Sequence, residues 1–312
     1  MRDRVKIFAG NGNPELVREI CEYIGVTPGE VSIQRFSNEN LFIQIEENVR
    51  ETDVFVVQPF SSPVHENIME LLIMMDAMRS ASASRITAVI PYYSYARSDK
   101  KDAPRISIVG RLMADVLVTA GADRILTMNL HKPQVHGFFS VPTDHLYAAP
   151  VLLDYYRDTD LRDTVVVATD AGHVKEAANY AERLRLPLAF VDKRRVSDNE
   201  VATNTIVGHV EGKHAVIFDD EIATGTSLLA TIQILQEHGI RSIRAGAVHG
   251  VLCGHAIEKL AASPIEEVVV TNTVPVPPEK RIDKIKVLSV APLFGEAIKR
   301  IHTGESISSL FV

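Results

Sequence analysis

The sequence predicts an open α/β fold with mainly parallel sheets, and three features predict it. Short apolar runs recur at 5–9, 54–58, 86–90, 125–128, 164–168, 188–191, 214–218, 242–248 and 267–271. They are continuous rather than alternating, as expected of strands buried on both faces. Amphipathic stretches at 67–80, 106–120, 174–185, 227–238 and 254–262 lie between them, which is the spacing of βαβ units. A chain that is 46% hydrophobic can also bury a sizeable core. One early segment departs from this rhythm. At 33–45, two β runs flank Ser37-Asn38-Glu39-Asn40 and predict a hairpin projecting from the sheet.

The chain has 312 residues, enough for two domains. The stretch 131–150, rich in Pro, Gly and aromatics, reads as the crossing between two loosely similar halves. This predicts domains at 1–147 and 148–312, with the C-terminal tail a candidate to pack back on the first. There are 33 Lys and Arg against 40 Asp and Glu, a net charge of −7, which argues against a protein that coats nucleic acid. No uncharged apolar stretch reaches the roughly 18–20 residues of a membrane span, and residues 1–30 hold no apolar signal segment. Cys21 and Cys253 fit neither a metal spacing nor a disulfide scaffold. The expectation is a soluble, cytoplasmic protein with no nucleic-acid or membrane partner.

In open α/β sheets, ligands bind at loops beyond the carboxyl ends of strands. The strongest such segment is His214-Ala-Val-Ile-Phe-Asp-Asp-Glu-Ile-Ala-Thr-Gly-Thr-Ser227. An apolar strand runs into Asp219 and Asp220, and Thr224, Gly225, Thr226 and Ser227 then open a helix. Backbone N–H groups at that helix start, with three hydroxyls, form a cradle for a phosphate. The two acids stand where the vicinal hydroxyls of a sugar or a hydrated Mg²⁺ would meet them. The bland reading is a helix cap with two solvated acids. It is disfavoured because paired acids directly after a buried strand are costly without a partner. Neither Gly-x-x-x-x-Gly-Lys-Ser/Thr nor Gly-x-Gly-x-x-Gly occurs anywhere in the chain.

Four further loops follow strands. Thr169-Asp170-Ala-Gly172-His-Val-Lys175 suits a capped turn or a metal or phosphate contact equally well. Asp192-Lys193-Arg-Arg195 places three cations together, which is either a solvated face or an anion site. Between Pro91 and Arg105, tyrosines precede a run of cations that includes Arg97, with Ser98 and Asp99 beside it. That composition suits stacking on a base and clamping of phosphates, or a plain charged loop. Asn129-Leu-His131 leads into a loop with Gln134 and His136, where His131 is either structural or a ligand to Mg²⁺ or phosphate. Phosphoryl-type transfer needs metal-bridged oxygens, cations on the developing charge and in-line positioning, and this inventory matches it.

These residues resemble the ribose-phosphate pyrophosphokinase family over nearly the whole length. The resemblance rests on Arg35-Phe-Ser, Glu70-Leu-Leu-Ile-Met-Met-Asp76, Ser80-Ala-Ser-Ala-Ser84, Pro91-Tyr-Tyr through Tyr95-Ala-Arg97, and Gly121-Ala-Asp-Arg. It continues through Leu130-His131 with Gln134 and Gly137-Phe-Phe139, Asp170-Ala-Gly, Asp192-Lys-Arg-Arg195, Val270-Thr-Asn-Thr273 and Gly304-Glu-Ser306 with Leu310-Phe311. The segment 219–227 is similar to a motif shared by all phosphoribosyltransferases.

The resemblance implies two similar phosphoribosyltransferase-type domains and Mg²⁺-dependent transfer of the diphosphoryl group of ATP to the C1 hydroxyl of ribose 5-phosphate. It implies that Thr224, Gly225, Thr226 and Ser227 hold the 5-phosphate and that Asp219 and Asp220 hold the ribose hydroxyls. His131 and Asp170 would position Mg²⁺ with the ATP phosphates, and Lys193, Arg195 and Arg97 would stabilise the transferring group. Phe36, Asn38, Arg97, Ser98, Asp99 and His131 fall to ATP, with Phe36 and Asn38 reaching adenine in a neighbouring subunit. Arg50, Ser306 and Ser308 match an allosteric phosphate or nucleotide site. A homo-oligomer, dimer or hexamer, is implied.

The chain also departs from the family pattern. Glu221, Ala223 and Thr226 stand where the loop commonly has Met, Asp and Gly. Asn129 stands for Asp, Asn40 for Glu and Asn48 for Ser. These changes leave open a catalytically weak or silent regulatory paralogue that binds nucleotide and an active homologue. A phosphoribosyltransferase draws support from 219–227 alone.

Overall fold

The structure, a computed structural model, describes residues 5–194 and 203–311. The chain forms two units, one comprising 1–148, 273–275 and 289–312, the other 149–272 and 276–288.

The first unit begins with β1 (Val5–Ala9) and α1 (Pro14–Ile24), which is capped by the Asn13 side chain and stopped by Gly25 at φ 82°. Next come β2 (Val31–Arg35) and β3 (Leu41–Ile45), an antiparallel pair of their own. β4 (Asp53–Val57), α2 (Val64–Ser80), β5 (Arg85–Ile90), α3 (Val109–Ala120), β6 (Arg124–Met128) and β7 (Thr143–Leu146) follow. The sheet order is β1-β4-β5-β6-β7, all parallel. Its core includes Phe8, Val56, Leu71, Met74 and Ile125.

A buried polar network ties the loop after β1 to α2. Glu70, 1% exposed, accepts from Asn11 N at 2.9 Å, Asn11 Nδ2 at 2.8 Å and Gln58 Nε2 at 2.7 Å. Gln58 Oε1 accepts from Gly12 N at 2.8 Å, and a Cβ on Gly10 would stand 2.5 Å from the Gln58 side chain. A side chain at position 10 would therefore displace Gln58 from this network.

The second unit contains α4 (Ala149–Arg157), β8 (Thr164–Ala168), α5 (Val174–Leu184), β9 (Leu188–Arg194) and β10 (Thr203–Val207). It continues with β11 (His214–Ile222), α6 (Thr226–Glu237), β12 (Ser242–Gly250), α7 (Ala256–Ala262), β13 (Glu267–Thr271) and β14 (Ile285–Leu288). The order is β10-β9-β8-β11-β12-β13-β14, parallel except at β9–β10. Phe218 stacks on Tyr180 at 3.9 Å and meets Tyr156 edge-on at 5.1 Å. Burying such a ring stabilises the fold by about 1.5–3 kcal/mol. The chain leaves β8 toward β9 on one side and returns to β11 on the other, so the strand order reverses between β8 and β11.

The last helix, α8 (Ala291–Thr303), belongs to the first unit and packs against α1. A Cβ on Gly295 would stand 2.5 Å from the Tyr23 ring, so the two helices approach closely there. His302 Nδ1 lies 2.7 Å from Asp53 Oδ2, and Arg85 Nη2 donates to Ile301 O at 3.0 Å.

Three expectations change. The strand expected at 214–218 runs on to Ile222, so Asp219 and Asp220 lie within β11 rather than on a loop. The cause is continued pairing with β12, Asp219 opposite Ala247 and Glu221 opposite His249. Backbone ladders do not require apolar side chains. The stretch 131–150 is more than a crossing: it holds a 3₁₀ turn (Pro133–Phe138), β7 and the start of α4. Helices α1, α4 and α8 are additional to those expected.

Candidate active site

A strand-order reversal in an open parallel sheet leaves a crevice at the carboxyl ends of the two diverging strands. In the second unit, the segments after β8 and at the end of β11 meet there. Asp170, one residue beyond Thr169, has an extended backbone (φ −163°) and caps the 3₁₀ turn Ala171–His173 that leads into α5. Its Oδ1 accepts from Gly172 N at 2.8 Å and His173 N at 3.2 Å, and it lies 2.9 Å from His173 Nδ1. That contact turns the ring so that His173 Nε2 stands 4.0 Å from Asp219 Oδ1. His173, Asp219 and Asp220 offer ligand atoms all within 4.8 Å of one another.

The electrostatics of the two neighbouring carboxylates diverge. Burial pushes Asp170 up, but the His173 contact and two backbone N–H groups outweigh it and hold the carboxyl below its ordinary value. Asp219 goes the other way. Burial, followed by the hydrogen bond and charge of Asp220, pushes it up to about 8. Two largely desolvated acids in hydrogen-bond contact cannot both ionise cheaply without a cation. The oxygen-rich donor set therefore fits a divalent ion.

This has a measurable consequence in metal-free protein. The folded state holds the Asp219 proton more tightly than the unfolded chain, so stability falls as pH rises from near 3.8 through about 8. Asp219→Asn is expected to flatten this decline, so that the variant's melting temperature exceeds that of wild type at pH 8.5 but not at pH 4. Parallel pH profiles of the two proteins would remove Asp219 from this role.

Beyond Ile222 the chain turns at Gly225, φ 72°, into α6. Ala223 O accepts from Cys253 N at 3.0 Å and Ile222 O from Leu252 N at 3.0 Å, which anchor the turn. No side chain caps α6. Thr224, Thr226 and Ser227 are exposed beside this helix start, with Thr224 Oγ1 and Thr226 Oγ1 3.0 Å apart. The first-turn N–H groups face outward among hydroxyls, an arrangement that accepts a phosphate.

In the first unit, Arg97 ends a 3₁₀ turn (Ser94–Arg97) after β5 and is exposed. Ser98 Oγ accepts from Val109 N at 3.0 Å and donates to Ser107 O at 3.3 Å, while Asp99 Oδ2 accepts from Gln134 Nε2 at 2.6 Å. These two side chains shape the loop they stand on. His131 is half-buried just after β6. Asn129, φ 41°, accepts from Ala148 N at 2.7 Å through Oδ1. Phe36 is 50% exposed at the hairpin tip with Phe42 6.1 Å away, and Asn38 Oδ1 accepts from Asn40 N at 3.2 Å. Arg35 ties the hairpin to α2 through Glu66 at 3.4 Å. Arg50 is exposed, its N–H donating to Asn48 Oδ1 at 3.0 Å. Ser306 and Ser308 share a 3.1 Å hydroxyl contact, with Arg300 Nη1 on Ser306 O at 3.1 Å.

Lys193 lies on β9, paired with Asn204 of β10. Arg195 falls outside the described residues. The structure thus gathers Asp170, Asp219, Asp220 and 224–227 in the second unit, whereas Phe36, Asn38, Arg97, Ser98, Asp99 and His131 belong to the first. His173, three residues after Asp170, is a candidate ligand that the sequence does not single out, because the acids it meets lie far along the chain.

Residues 5–121 match the family model described as the N-terminal domain of ribose phosphate pyrophosphokinase, and 195–312 match the phosphoribosyl synthetase-associated domain. The chain is 51% identical over 316 residues to the ribose-phosphate pyrophosphokinase of Deinococcus radiodurans, covering 99% of this chain and 98% of that one. It is 50% identical over 308 residues to that of Caldanaerobacter subterraneus, covering 98% of each. Among solved structures, it matches phosphoribosylpyrophosphate synthetase from Mycobacterium smegmatis with a TM-score of 0.90 at 39% identity, covering 97% of this chain and 100% of that one.

Proposed function

Because the chain belongs to the ribose-phosphate pyrophosphokinase family, we propose the following division of labour among its residues. The activity is that of a ribose-phosphate diphosphokinase. The C1 hydroxyl oxygen of ribose 5-phosphate attacks the β-phosphorus of ATP and bonds to it. The bond from that phosphorus to the α,β-bridging oxygen breaks, AMP leaves with the electron pair, and the hydroxyl proton is released. The products are 5-phosphoribosyl 1-diphosphate and AMP. The carrying observation is the crevice of the second unit, where two adjacent carboxylates stand near the end of a strand and an uncapped helix start follows it.

The 5-phosphate takes the N–H groups and hydroxyls of Thr224, Gly225, Thr226 and Ser227. Asp219 and Asp220 take the ribose hydroxyls, directly or through a cation. Mg²⁺, when bound, neutralises phosphate charge and polarises the phosphoryl oxygens. Asp170 is assigned to it on the ribose-side unit and His131 on the nucleotide-side unit. Arg97, Lys193 and Arg195 stabilise the charge that develops on the transferring group.

On the nucleotide side, the half-exposed Phe36 offers a face for adenine and Asn38 a polar edge. Ser98 and Asp99 hold the phosphate-side loop in shape. The exposed hairpin tip supports a homo-oligomer in which it serves a neighbouring copy. Arg50, Ser306 and Ser308 are assigned to an anionic effector. Among the described residues, no helix is long and apolar enough to cross a membrane. Both substrates are phosphorylated metabolites of the cell interior, which supports a cytoplasmic place for the enzyme.

The deciding experiment measures AMP formation from ATP and Mg²⁺ with and without ribose 5-phosphate. AMP release that depends on the sugar is the expected result. ATP binding without AMP release from freshly purified, folded protein would replace this reading with the silent regulatory paralogue.

A further inference from the structure

The geometry points to His173 as a nitrogen ligand of the cation that Asp219 and Asp220 hold, with Asp170 as the group that orients it. The site thereby favours a divalent first-row transition ion over Mg²⁺, with Mn²⁺ as the spectroscopic probe. This rests on the assignment of Asp219 and Asp220 to a cation-bearing ribose site.

The Asp170 carboxylate lies 2.9 Å from His173 Nδ1 and holds that side of the ring. Nε2, the other ring nitrogen, faces Asp219 and is the atom that would meet a cation. A carboxylate behind an imidazole, with the other nitrogen free, is the usual outer partner of a metal-bound histidine.

The distances agree with one shared ion. Nε2 and Asp219 Oδ1 are 4.0 Å apart, too far for a hydrogen bond. Two ligand atoms each about 2.1–2.2 Å from one ion lie roughly 3.0 Å apart at right angles and about 4.3 Å apart when opposite. The measured separation falls between these limits. Asp220, buried beside Asp219, completes three donors on two segments, the turn after β8 and strand β11.

Donor chemistry then sets the preference. Mg²⁺ is hard, favours oxygen and sheds water reluctantly. An imidazole nitrogen gains most with first-row transition ions. Toward this ion Asp170, engaged through Oδ1 by two backbone N–H groups and the ring, is a positioning residue, a role separate from its assignment to the Mg²⁺ that accompanies the ATP phosphates.

The test uses full-length protein without nucleotide, titrated with Mn²⁺ and examined by electron spin-echo envelope modulation. Bound Mn²⁺ is expected to show ¹⁴N coupling in the wild type and to lose it in His173→Asn. Calorimetry should show Mn²⁺ affinity falling at least about tenfold in that variant, the lower end for loss of even an outer partner of a ligand, with Mg²⁺ affinity changing less than Mn²⁺ affinity. His173→Gln is the second variant, in case the first does not fold. Mn²⁺ bound without ¹⁴N coupling, or with coupling that survives both substitutions, overturns the assignment of His173. Asp219→Asn separates this from the underlying reading. Unchanged Mn²⁺ affinity in that variant would mean the acids hold no cation, whatever His173 does.

Discussion

Lys193→Ala is expected to lower turnover by about 100-fold or more, the scale seen when one preorganised electrostatic stabiliser is removed. The Michaelis constant for ribose 5-phosphate should change little. Strand β9 pairs in parallel with β8, with Ala168 opposite Phe190. β8 ends at Ala168, but β9 continues to Arg194, so residue 193 lies past the strand end from which Asp170 follows. Position 193 thus falls at the carboxyl end of the sheet, the edge where ligands bind in such folds. Diphosphoryl transfer develops negative charge on phosphate oxygens, and a fixed cation that strengthens its interaction in the transition state raises kcat rather than substrate affinity. A loss below tenfold would remove Lys193 from that role. A rise in the ribose 5-phosphate Michaelis constant at unchanged kcat would make it a binding residue instead.

The contrast between Asp170 and His173 shows what a sequence does and does not disclose about such a site. The strands are legible because burial on both faces writes continuous apolar runs, and the ligand edge follows once the strands are parallel. Asp170, Asp219 and Asp220 are therefore picked out as candidates by their position at strand ends. The end of β11 is misjudged because the two acids interrupt the apolar run while the backbone ladder with β12 continues. His173 escapes for a different reason. Its role depends on a 3₁₀ turn that folds it back on Asp170 and on acids that arrive far along the chain. No local pattern encodes that meeting. Helix α1 had readable signals in Asn13, Pro14 and Gly25, whereas α8 is held by Asp53, Arg85 and Tyr23, all distant in sequence. The contacts of Ser98 with Val109 and of Asp99 with Gln134 are likewise not legible in sequence, since each bridges residues apart in the chain.

The 5-phosphate cradle offers the other large effect. Gly225→Val is expected to raise the Michaelis constant for ribose 5-phosphate roughly 100-fold while leaving the affinity for ATP, measured without the sugar, nearly unchanged. Gly225 sits at φ 72°, ψ 0°, immediately before α6. A Cβ there would meet only Leu229 Cδ1, at an ordinary 3.8 Å, so space is not the obstacle. The obstacle is the backbone, since a left-handed conformation costs an L-residue about 1–2 kcal/mol and suits a β-branched one least. Valine would relieve this by rotating the turn, and the N–H groups of the first turn of α6 would swing with it. Each hydrogen bond to a charged group is worth about 1.5–3 kcal/mol, so losing one or two corresponds to the expected change. Gly225→Ala, less strained, should fall between valine and wild type. If the Michaelis constant stays within threefold in both variants, the 5-phosphate is held elsewhere. If both substrates weaken together, the turn supports the whole fold of the second unit, and a matching fall in melting temperature would show it.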